Sequence, residues 1–273
     1  MDMTRHICTK TGLKPVSTAL CCVFIAAVFG LAVPAIAQQQ TAAKPPVTID
    51  ATEFLEWNQT DGTYIAKGNA HVEQGDTSIK ANHIVASYQP ESASRDLERM
   101  IATGEVIYVN GANQARGSEL DYNVLDRIYK LSGPNASATS PDGEMTANTS
   151  ITYDEKNLNR QEVIAIGGAR YYHSDGRTIY GDRLLAYLDA TGSLISIDAF
   201  GNTKVVTTQG TTATADKLNY VASTAMANLY DNVKIIEQDN VMRGARAEVD
   251  FDKDISRMLS DGAQKRVTGV LTP

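Results

Sequence analysis

The chain has 273 residues, a formal net charge of −7 and 42% hydrophobic residues, a composition sufficient for a folded core. Its basic residues form no cluster in the sequence, which argues against nucleic acid as a partner. Its four histidines lack metal-ligand spacing, and its glycine pairs lie between predicted strands with no following helix. Neither a metal site nor a cofactor is therefore predicted.

The first 37 residues have the pattern of an export signal. Three basic residues precede an apolar run that ends in Ala35-Ile36-Ala37, a small-x-small cleavage signal. We predict a signal peptide over residues 1–37, cleaved after Ala37, and a polar tether over residues 38–46. An uncleaved anchor is the alternative, because about 20 apolar residues can span a bilayer. All three cysteines fall in this segment, so the exported chain needs no disulfide.

From Val47 onward, apolar and polar residues alternate, which is the pattern of strands with one buried face. Asn110-Gly111 and Asp175-Gly176 suit the tight turns that join such strands. No helical layer is encoded to cover the apolar face, so the sheet must fold over itself as a sandwich, a jellyroll or a barrel. The sequence predicts a single all-β domain over residues 47–273.

A repeated unit organises this domain. A small residue, an aliphatic residue and an aromatic residue recur in about seven two-strand units, as in Gly117…Leu120-Asp121-Tyr122 and Gly181-Asp182-Arg183-Leu184-Leu185-Ala186-Tyr187. Each copy leads to a turn residue that is interpreted as the start of the next strand: Gly68, Gly104, Gly133, Gly167, Gly201, Asp231 and Gly262. Such a period indicates β units that stack into one continuous core.

The alternation assigns an aliphatic side chain of most units to the interior. The predicted lining consists of Val72, Ile84, Val106, Leu120, Ile151, Leu185, Val205, Leu218, Val233 and Val249. Two interpretations stay open: a core that these side chains fill, and a slot left open for an apolar ligand. The terminal strands are predicted as partner edges, with Val47 and Ile49 at one end and Val267 and Val270 at the other.

Several short motifs resemble the OstA-like family. They are Val47-Thr48-Ile49-Asp50-Ala51, Ala66-Lys67-Gly68-Asn69-Ala70-His71-Val72, Ala215-Asp216-Lys217-Leu218-Asn219-Tyr220 and Lys265-Arg266-Val267-Thr268-Gly269-Val270-Leu271. The resemblance implies an open, twisted antiparallel β-jellyroll in the periplasm, which shields the acyl chains of lipopolysaccharide (its lipid A part) between the two membranes. It also implies end-to-end assembly, both with other copies and with the β-jellyroll domains of LptC-like inner-membrane and LptD-like outer-membrane partners.

Other functions stay open at this point. Within the resemblance, the alternative is an LptC-like component of the same pathway that stays anchored in the inner membrane. Outside it, the alternative is a structural or adhesive β repeat with a filled core. A carbohydrate-active β-helix would need carboxylates that converge on one site, whereas the carboxylates here fall in turns and on the outward side of the strands. We therefore predict that the chain is not an enzyme.

Overall fold

The computed structural model of the chain describes residues 46–91, 96–260 and 266–270. These residues belong to one compact unit, Lys44–Pro273. The predicted signal peptide and the predicted tether up to residue 45 lie outside the described residues. Within the described ranges, no helix has the length and apolar composition needed to cross a membrane.

Most of the described residues lie in antiparallel strands joined by short turns. The strands, numbered in chain order, are β1 (Thr48–Asp50), β2 (Phe54–Asn58), β3 (Thr63–Gln74), β4 (Thr77–Tyr88), β5 (Leu97–Asn110), β6 (Asn113–Asn123), β7 (Ile128–Ser132), β8 (Ala136–Ser140), β9 (Gly143–Ala147), β10 (Ser150–Asp154), β11 (Gln161–His173), β12 (Thr178–Leu188), β13 (Leu194–Val206), β14 (Thr212–Val221), β15 (Met226–Glu237), β16 (Asn240–Asp250), β17 (Ile255–Leu259) and β18 (Thr268–Val270). Helical structure in the described part of the chain is limited to one 3₁₀ turn, Ala222–Thr224. The predicted all-β fold class is confirmed.

The strands form a sheet that folds over into two leaves. The first half of β3 pairs with β2, and its second half pairs with β1. The following strands continue this pattern up to β16, whose two halves pair with β17 and β18. We call the layer that runs from β2 to β17 leaf 1, and the layer that runs from β1 to β18 leaf 2. In the middle, β7 and β10 belong to leaf 1, and β8 and β9 to leaf 2.

A line of left-handed residues marks where the strands turn from one leaf into the other. Positive φ angles occur at Gly68-Asn69, Gly104-Glu105, Gly167-Gly168, Gly201-Asn202 and Asp231-Asn232, and the strand register shifts at these points. A Cβ atom on Gly104 would lie 2.7 Å from the Nδ2 atom of Asn82, so this position needs glycine for space as well as for conformation. We call this line the fold line.

The interpretation of these glycines as strand starts is therefore wrong. Gly68, Gly104, Gly167 and Gly201 lie inside β3, β5, β11 and β13. The reason is that two successive left-handed residues bend a strand, as a β-bulge does, without ending its hydrogen-bonded ladder. Gly262 lies outside the described residues.

The interior between the leaves is filled unevenly along the molecule. Eight of the ten largest fully buried side chains lie between Ile197 and Val249, which we call the packed region. The inner faces of residues 47–194, which we call the hollow region, carry a similar share of alanine but more tyrosine. A buried tyrosine hydroxyl needs a polar partner, which restricts where its ring can pack. The two regions of one continuous sheet thus differ in the residues that face inward.

Candidate functional site: the space between the leaves

The hollow region contains a cavity at the N-terminal end of the folded sheet. Its volume is about 440 Å³, which lies within the range of about 300–1,000 Å³ typical of small-molecule pockets. Its lining is mostly apolar and comes from both leaves: Val47, Ile49, Leu55, Glu56, Trp57, Tyr64, Ile65, Ala66, Val72, Ile84, Ala86, Leu97 and Met100. The terminal strands β1 and β2 therefore form part of its wall.

Aromatic side chains of leaf 1 form one wall of this N-terminal cavity. The Trp57 ring stacks on Tyr64 with centroids 5.7 Å apart, and Tyr64 lies 5.1 Å from Tyr88. Trp57 Nε1 donates a hydrogen bond to the Tyr88 hydroxyl at 2.7 Å. Although Leu55 and Trp57 are in register with the inward-facing Ala66 and Tyr64, they remain 56% and 46% exposed. Two large apolar side chains thus stand on the inner face without cover.

A second cavity, of about 220 Å³, lies between the leaves in the centre of the sheet. Its apolar part comes from Leu120, Leu131, Ala138, Met145, Ile151, Val163, Ala186, Leu188 and Leu194, together with Ala115 and the rings of Tyr108, Tyr129, Tyr153 and Tyr171. Its polar lining comes from Asn110, Asn113, Gln114, Thr139, Ser140, Asp142 and Glu155, which lie at or near the hairpin ends of the strands. The central cavity is thus apolar in its depth and polar along its rim.

A tyrosine cluster crosses the central cavity. The Tyr129 ring of leaf 1 stacks on Tyr122 at 4.0 Å and lies 5.9 Å from Tyr153 in the same leaf. It also lies 5.7 Å from Tyr108, which belongs to leaf 2. The Tyr153 hydroxyl donates a hydrogen bond to Oε1 of Gln161 at 2.7 Å. Burial, followed by interactions with neighbouring tyrosines, raises the pKa of Tyr129, and burial together with the nearby Glu155 carboxylate raises the pKa of Tyr153. Both hydroxyls are therefore neutral at physiological pH.

Arg177, in the turn between β11 and β12, contacts aromatic rings of the opposite leaf beside the packed region. Its guanidinium reaches from leaf 2 to the Phe251 ring, 5.2 Å away, and to the Tyr220 ring of leaf 1, 5.9 Å away. Arg177 is held by an ion pair with Asp175, which also interacts with His173 Nδ1 at 2.8 Å. Burial acts to raise the pKa of Asp175, but hydrogen bonds from Arg177 and His173 outweigh it and lower the pKa to about 2.

The predicted interior residues fall into three groups. Val72 and Ile84 line the N-terminal cavity, and Leu120 and Ile151 line the central cavity. Another five are buried, with 0–2% exposure, and do not line either cavity: Val106, Val205, Leu218, Val233 and Val249. The tenth, Leu185, does not point inward.

The inward orientation predicted for Leu185 is wrong. Leu184 and Ala186 are buried, at 0% and 2% exposure, whereas Leu185 is in register with Ile164 and Asp198 on the outer face of leaf 1. In three of the other units the inward aliphatic residue stands three positions after the small residue: Ile84 after Ala81, Leu120 after Gly117 and Leu218 after Ala215. Applied to Gly181, this spacing selects Leu184, and the two adjacent leucines hid it.

The predicted partner edges Val47, Val267 and Val270 are exposed, and Ile49 packs partly against the core. β1 pairs only with β3, and β18 pairs only with β16, among the strands that the structure describes. The sequence interpretation missed that each end has a second edge strand, β2 or β17, with Phe54 and Ile255 exposed. It also missed the tyrosine cluster, although the recurring aromatic of the repeat was its signal.

Within the described ranges, no group of three or more histidine, cysteine, aspartate or glutamate side chains could hold a metal ion. The cavities offer apolar surface, ring faces and, around the central cavity, a rim of polar groups that includes Asp142 and Glu155. This arrangement suits an elongated apolar ligand whose polar end remains at the rim.

Comparisons with known proteins identify a matching family and a similar solved structure. The model of the family described as "LptA/(LptD N-terminal domain) LPS transport protein" matches residues 48–158 and 169–255. Among solved structures, the chain is similar to LptH from Pseudomonas aeruginosa, described as the LptA homologous periplasmic component of the conserved lipopolysaccharide transport device, at 13% identity. That match covers 84% of this chain and 96% of LptH with a TM-score of 0.21. No curated protein matches significantly.

Proposed function

Because the chain belongs to the LptA/LptD N-terminal domain family of lipopolysaccharide transport proteins, we propose that it is a periplasmic carrier that shields lipopolysaccharide acyl chains between its two leaves. It acts as a bridge from the inner to the outer membrane, and it assembles end to end with related β-jellyroll domains. Its partners are LptC-like and LptD-like domains and further copies of itself. The chain binds and moves its ligand and carries out no reaction on it.

The observation that carries this proposal is the hollow region. Two cavities with mostly apolar linings lie along one folded sheet, and both are built from inward side chains of the same repeat. Each methylene group that leaves water contributes about 0.8 kcal/mol, so even a partly covered acyl chain is held strongly. The polar rim of the central cavity, which includes the carboxylates of Asp142 and Glu155, leaves the sugar and phosphate part of the ligand in water.

The lipid-binding residues in this proposal follow the cavities. Val72 and Ile84 contact acyl chains at the N-terminal end, and Leu120 and Ile151 contact them in the centre. Leu184 replaces Leu185 as the inward residue of its unit, beside the central cavity at Ala186. The side chains of the packed region support the sheet and enter into contact with lipid only if the leaves separate.

End-to-end assembly in this proposal uses all four edge strands. Strands β1 and β2 at one end and β17 and β18 at the other present unpaired backbone groups, judged from the described strands, and a neighbouring jellyroll can add to them by β-augmentation. Val47, Ile49, Val267 and Val270 contribute side chains to these junctions. Because the N-terminal cavity is lined by β1 and β2, such a junction would extend the apolar space into the next domain.

The test is to purify residues 38–273, which contain the whole compact unit, from a lipopolysaccharide-producing host and to identify bound lipids by mass spectrometry. We expect lipopolysaccharide to copurify. A variant that fills the central cavity, Ala115→Leu with Ala138→Leu, should carry less of it. The matched control, Thr152→Leu with Thr214→Leu, places two leucines on the outer face of the sheet instead.

Copurification of phospholipid alone, or of no lipid, would overturn the proposal and favour a structural repeat with a filled core. Equal loss of lipopolysaccharide in the inward variant and in the outward control would show that the leucines act by destabilising the sheet. Retention of the full chain in the inner membrane would instead support the anchored LptC-like alternative.

A further inference from the structure

The outer face of leaf 2 carries a row of basic residues that the strand register brings together. Following the cross-strand pairs from β3 to β16, the positions in this row are occupied in order by His71, Lys80, Ile107, Arg116, Ser137, Thr146, Arg170, Tyr180, Lys204, Thr214, Lys234 and Arg243. Six of these twelve are lysine or arginine, and none is a carboxylate. We call these six residues the basic row.

The row is densest across the strands β11 to β16. Arg170, Lys204, Lys234 and Arg243 lie within six neighbouring strands. With strands about 4.8 Å apart, these four cations occupy a line of roughly 25 Å. Lys204 Nζ lies 4.1 Å from the centroid of the Tyr180 ring beside it. Each cation therefore lies within or near a Debye length of the next, so their fields add.

Nearby carboxylates neutralise little of this charge. Glu144 approaches Arg170 at 3.7 Å, whereas no ion pair joins Lys80, Arg116, Lys204, Lys234 or Arg243 to a carboxylate among the described residues. The carboxylates of Asp182 and Asp216 belong to the fold line, where they accept hydrogen bonds from Asn202 and Asn232. These two carboxylates follow the bend, and the outer face of leaf 2 itself carries three others in the strands that the structure describes, Asp50, Glu73 and Glu144, against the six cations of the basic row.

The outer face of leaf 1 is different. Its strands alternate cations with carboxylates that pair with them, as Arg99 pairs with Asp121 at 2.6 Å and Arg257 with Glu248 at 3.4 Å. The whole chain has a formal net charge of −7. Leaf 2 thus presents a positive face on an acidic protein.

A second row runs beside the basic row on the same face. It contains the apolar residues Val109, Tyr172, Val206, Ile236, Val241 and Val270, separated by serine, threonine, glutamine and the two carboxylates Glu73 and Glu144. Tyr172 is 41% exposed and Val270 is 59% exposed. A soluble polyanion would bind the cations but not the apolar side chains. A bilayer surface binds both, because its phosphates attract the cations and the layer just below them accommodates the apolar side chains.

We propose that the outer face of leaf 2 docks on a bilayer surface that contains anionic phospholipids. Lys204, Lys234 and Arg243 contact the phosphates, and Tyr172 and Ile236 enter the interfacial layer. Electrostatic attraction is local, because the rest of the chain is acidic and faces away. This inference rests on the charges of one face and does not depend on what the interior carries.

The test is vesicle flotation of residues 38–273. We expect flotation with phosphatidylglycerol-containing vesicles, no flotation with pure phosphatidylcholine vesicles, and weaker binding as the salt concentration rises. The triple variant Lys204→Glu, Lys234→Glu and Arg243→Glu should lose roughly tenfold or more in partition coefficient, since each basic residue near an anionic surface adds to binding. The milder variant with glutamine at the same positions should bind with intermediate strength.

The control variant carries the same change in charge on leaf 1, at Lys130, Lys217 and Arg246, and should stay within about twofold of the unchanged chain because those residues lie on the other face. Equal losses in the two triple variants would overturn the proposal, since net charge would then explain binding. Binding to heparin that depends on the basic row, without binding to anionic vesicles, would overturn it in favour of a soluble polyanion.

Discussion

The hollow and packed regions share one backbone plan and differ in what lies inside it. In both, long strands cross a fold line at left-handed residues, Gly104 in one and Gly201 in the other. Between Ile197 and Val249 the leaves are joined by fully buried leucine, isoleucine and valine, whereas between Val47 and Leu194 they leave two cavities. The same backbone repeat thus encloses open space in one region and closely packed side chains in the other.

The largest effect that separates the regions is expected from equivalent leucines. Leu218 and Leu120 occupy the same position of the repeat, with 1% and 3% exposure. Leu218→Ala should lower the free energy of unfolding by about 3–5 kcal/mol, since tight packing leaves a new cavity, and Leu120→Ala by about 2–3 kcal/mol, since its surroundings are already partly empty. Urea denaturation of both variants measures the difference. Equal losses would mean that the two regions are packed alike.

Replacing a small inward residue by a larger one should destabilise the packed region more than the hollow region. Ala213 is 1% exposed in the packed region, whereas Ala138 lines the central cavity. Ala213→Leu should destabilise by about 1–3 kcal/mol through overpacking, while Ala138→Leu should be tolerated within about 1 kcal/mol. Thermal unfolding of lipid-free protein gives both values. If Ala138→Leu proves the more damaging change, the central cavity is not available space.

The fold line should respond in the same way in both regions. A Cβ atom at Gly104 would press on Asn82, and one at Gly201 would collide with Asp182. Gly104→Ala and Gly201→Ala should each cost about 1–2 kcal/mol, because alanine is strained at positive φ. The denaturant midpoints of the two variants measure this loss. Gly111→Ala is the control, because Gly111 also has a positive φ but its Cβ would meet nothing within 4 Å, so it reports the conformational strain without crowding. A loss at only one of the two positions would show that the bend itself differs between the regions.

Alkaline pH should destabilise the protein, chiefly through the three partly buried tyrosines of the central cavity. Burial raises the pKa of Tyr108, Tyr129 and Tyr153 in the central cavity. A group whose pKa is raised by folding contributes stability that is complete below the ordinary tyrosine pKa of about 10 and is lost as pH rises through the folded pKa. Stability should therefore fall above pH of about 10, and Tyr129→Phe should reduce this slope. An unchanged slope in Tyr129→Phe would exclude that hydroxyl as the source.

The fold class and most of the inward-facing residues could be predicted from the sequence, because an alternation with period two shows which side chains share a face. It failed at Leu185, where two adjacent leucines made the parity ambiguous, and at Gly68 and Gly201, where a bend inside a strand looks like a strand start. Both errors lie at or next to the fold line. There the pairing register between strands shifts, and the size of that shift depends on the neighbouring strand, which the local sequence does not show.

Cavities and charged faces could not be predicted from the sequence for a different reason. Whether Leu120 fills the interior depends on how far away the opposite leaf lies, and no local pattern encodes that distance. The cations Lys204 and Lys234 are separated in sequence by a whole unit, and only the strand register brings them into one row. The interpretation that basic residues form no cluster was correct for the sequence and incomplete for the surface.

The central claim is that lipid occupies the hollow region and not the packed one. It is tested most directly by placing the photo-crosslinking residue p-benzoylphenylalanine at aromatic positions of similar size: Tyr64 and Tyr129 in the two cavities, and Tyr220 in the packed region. Illumination of purified protein with bound lipopolysaccharide should give crosslinks at Tyr64 and Tyr129 and few or none at Tyr220, which is 3% exposed. Crosslinking at Tyr220 that equals or exceeds that at Tyr129 would contradict the account.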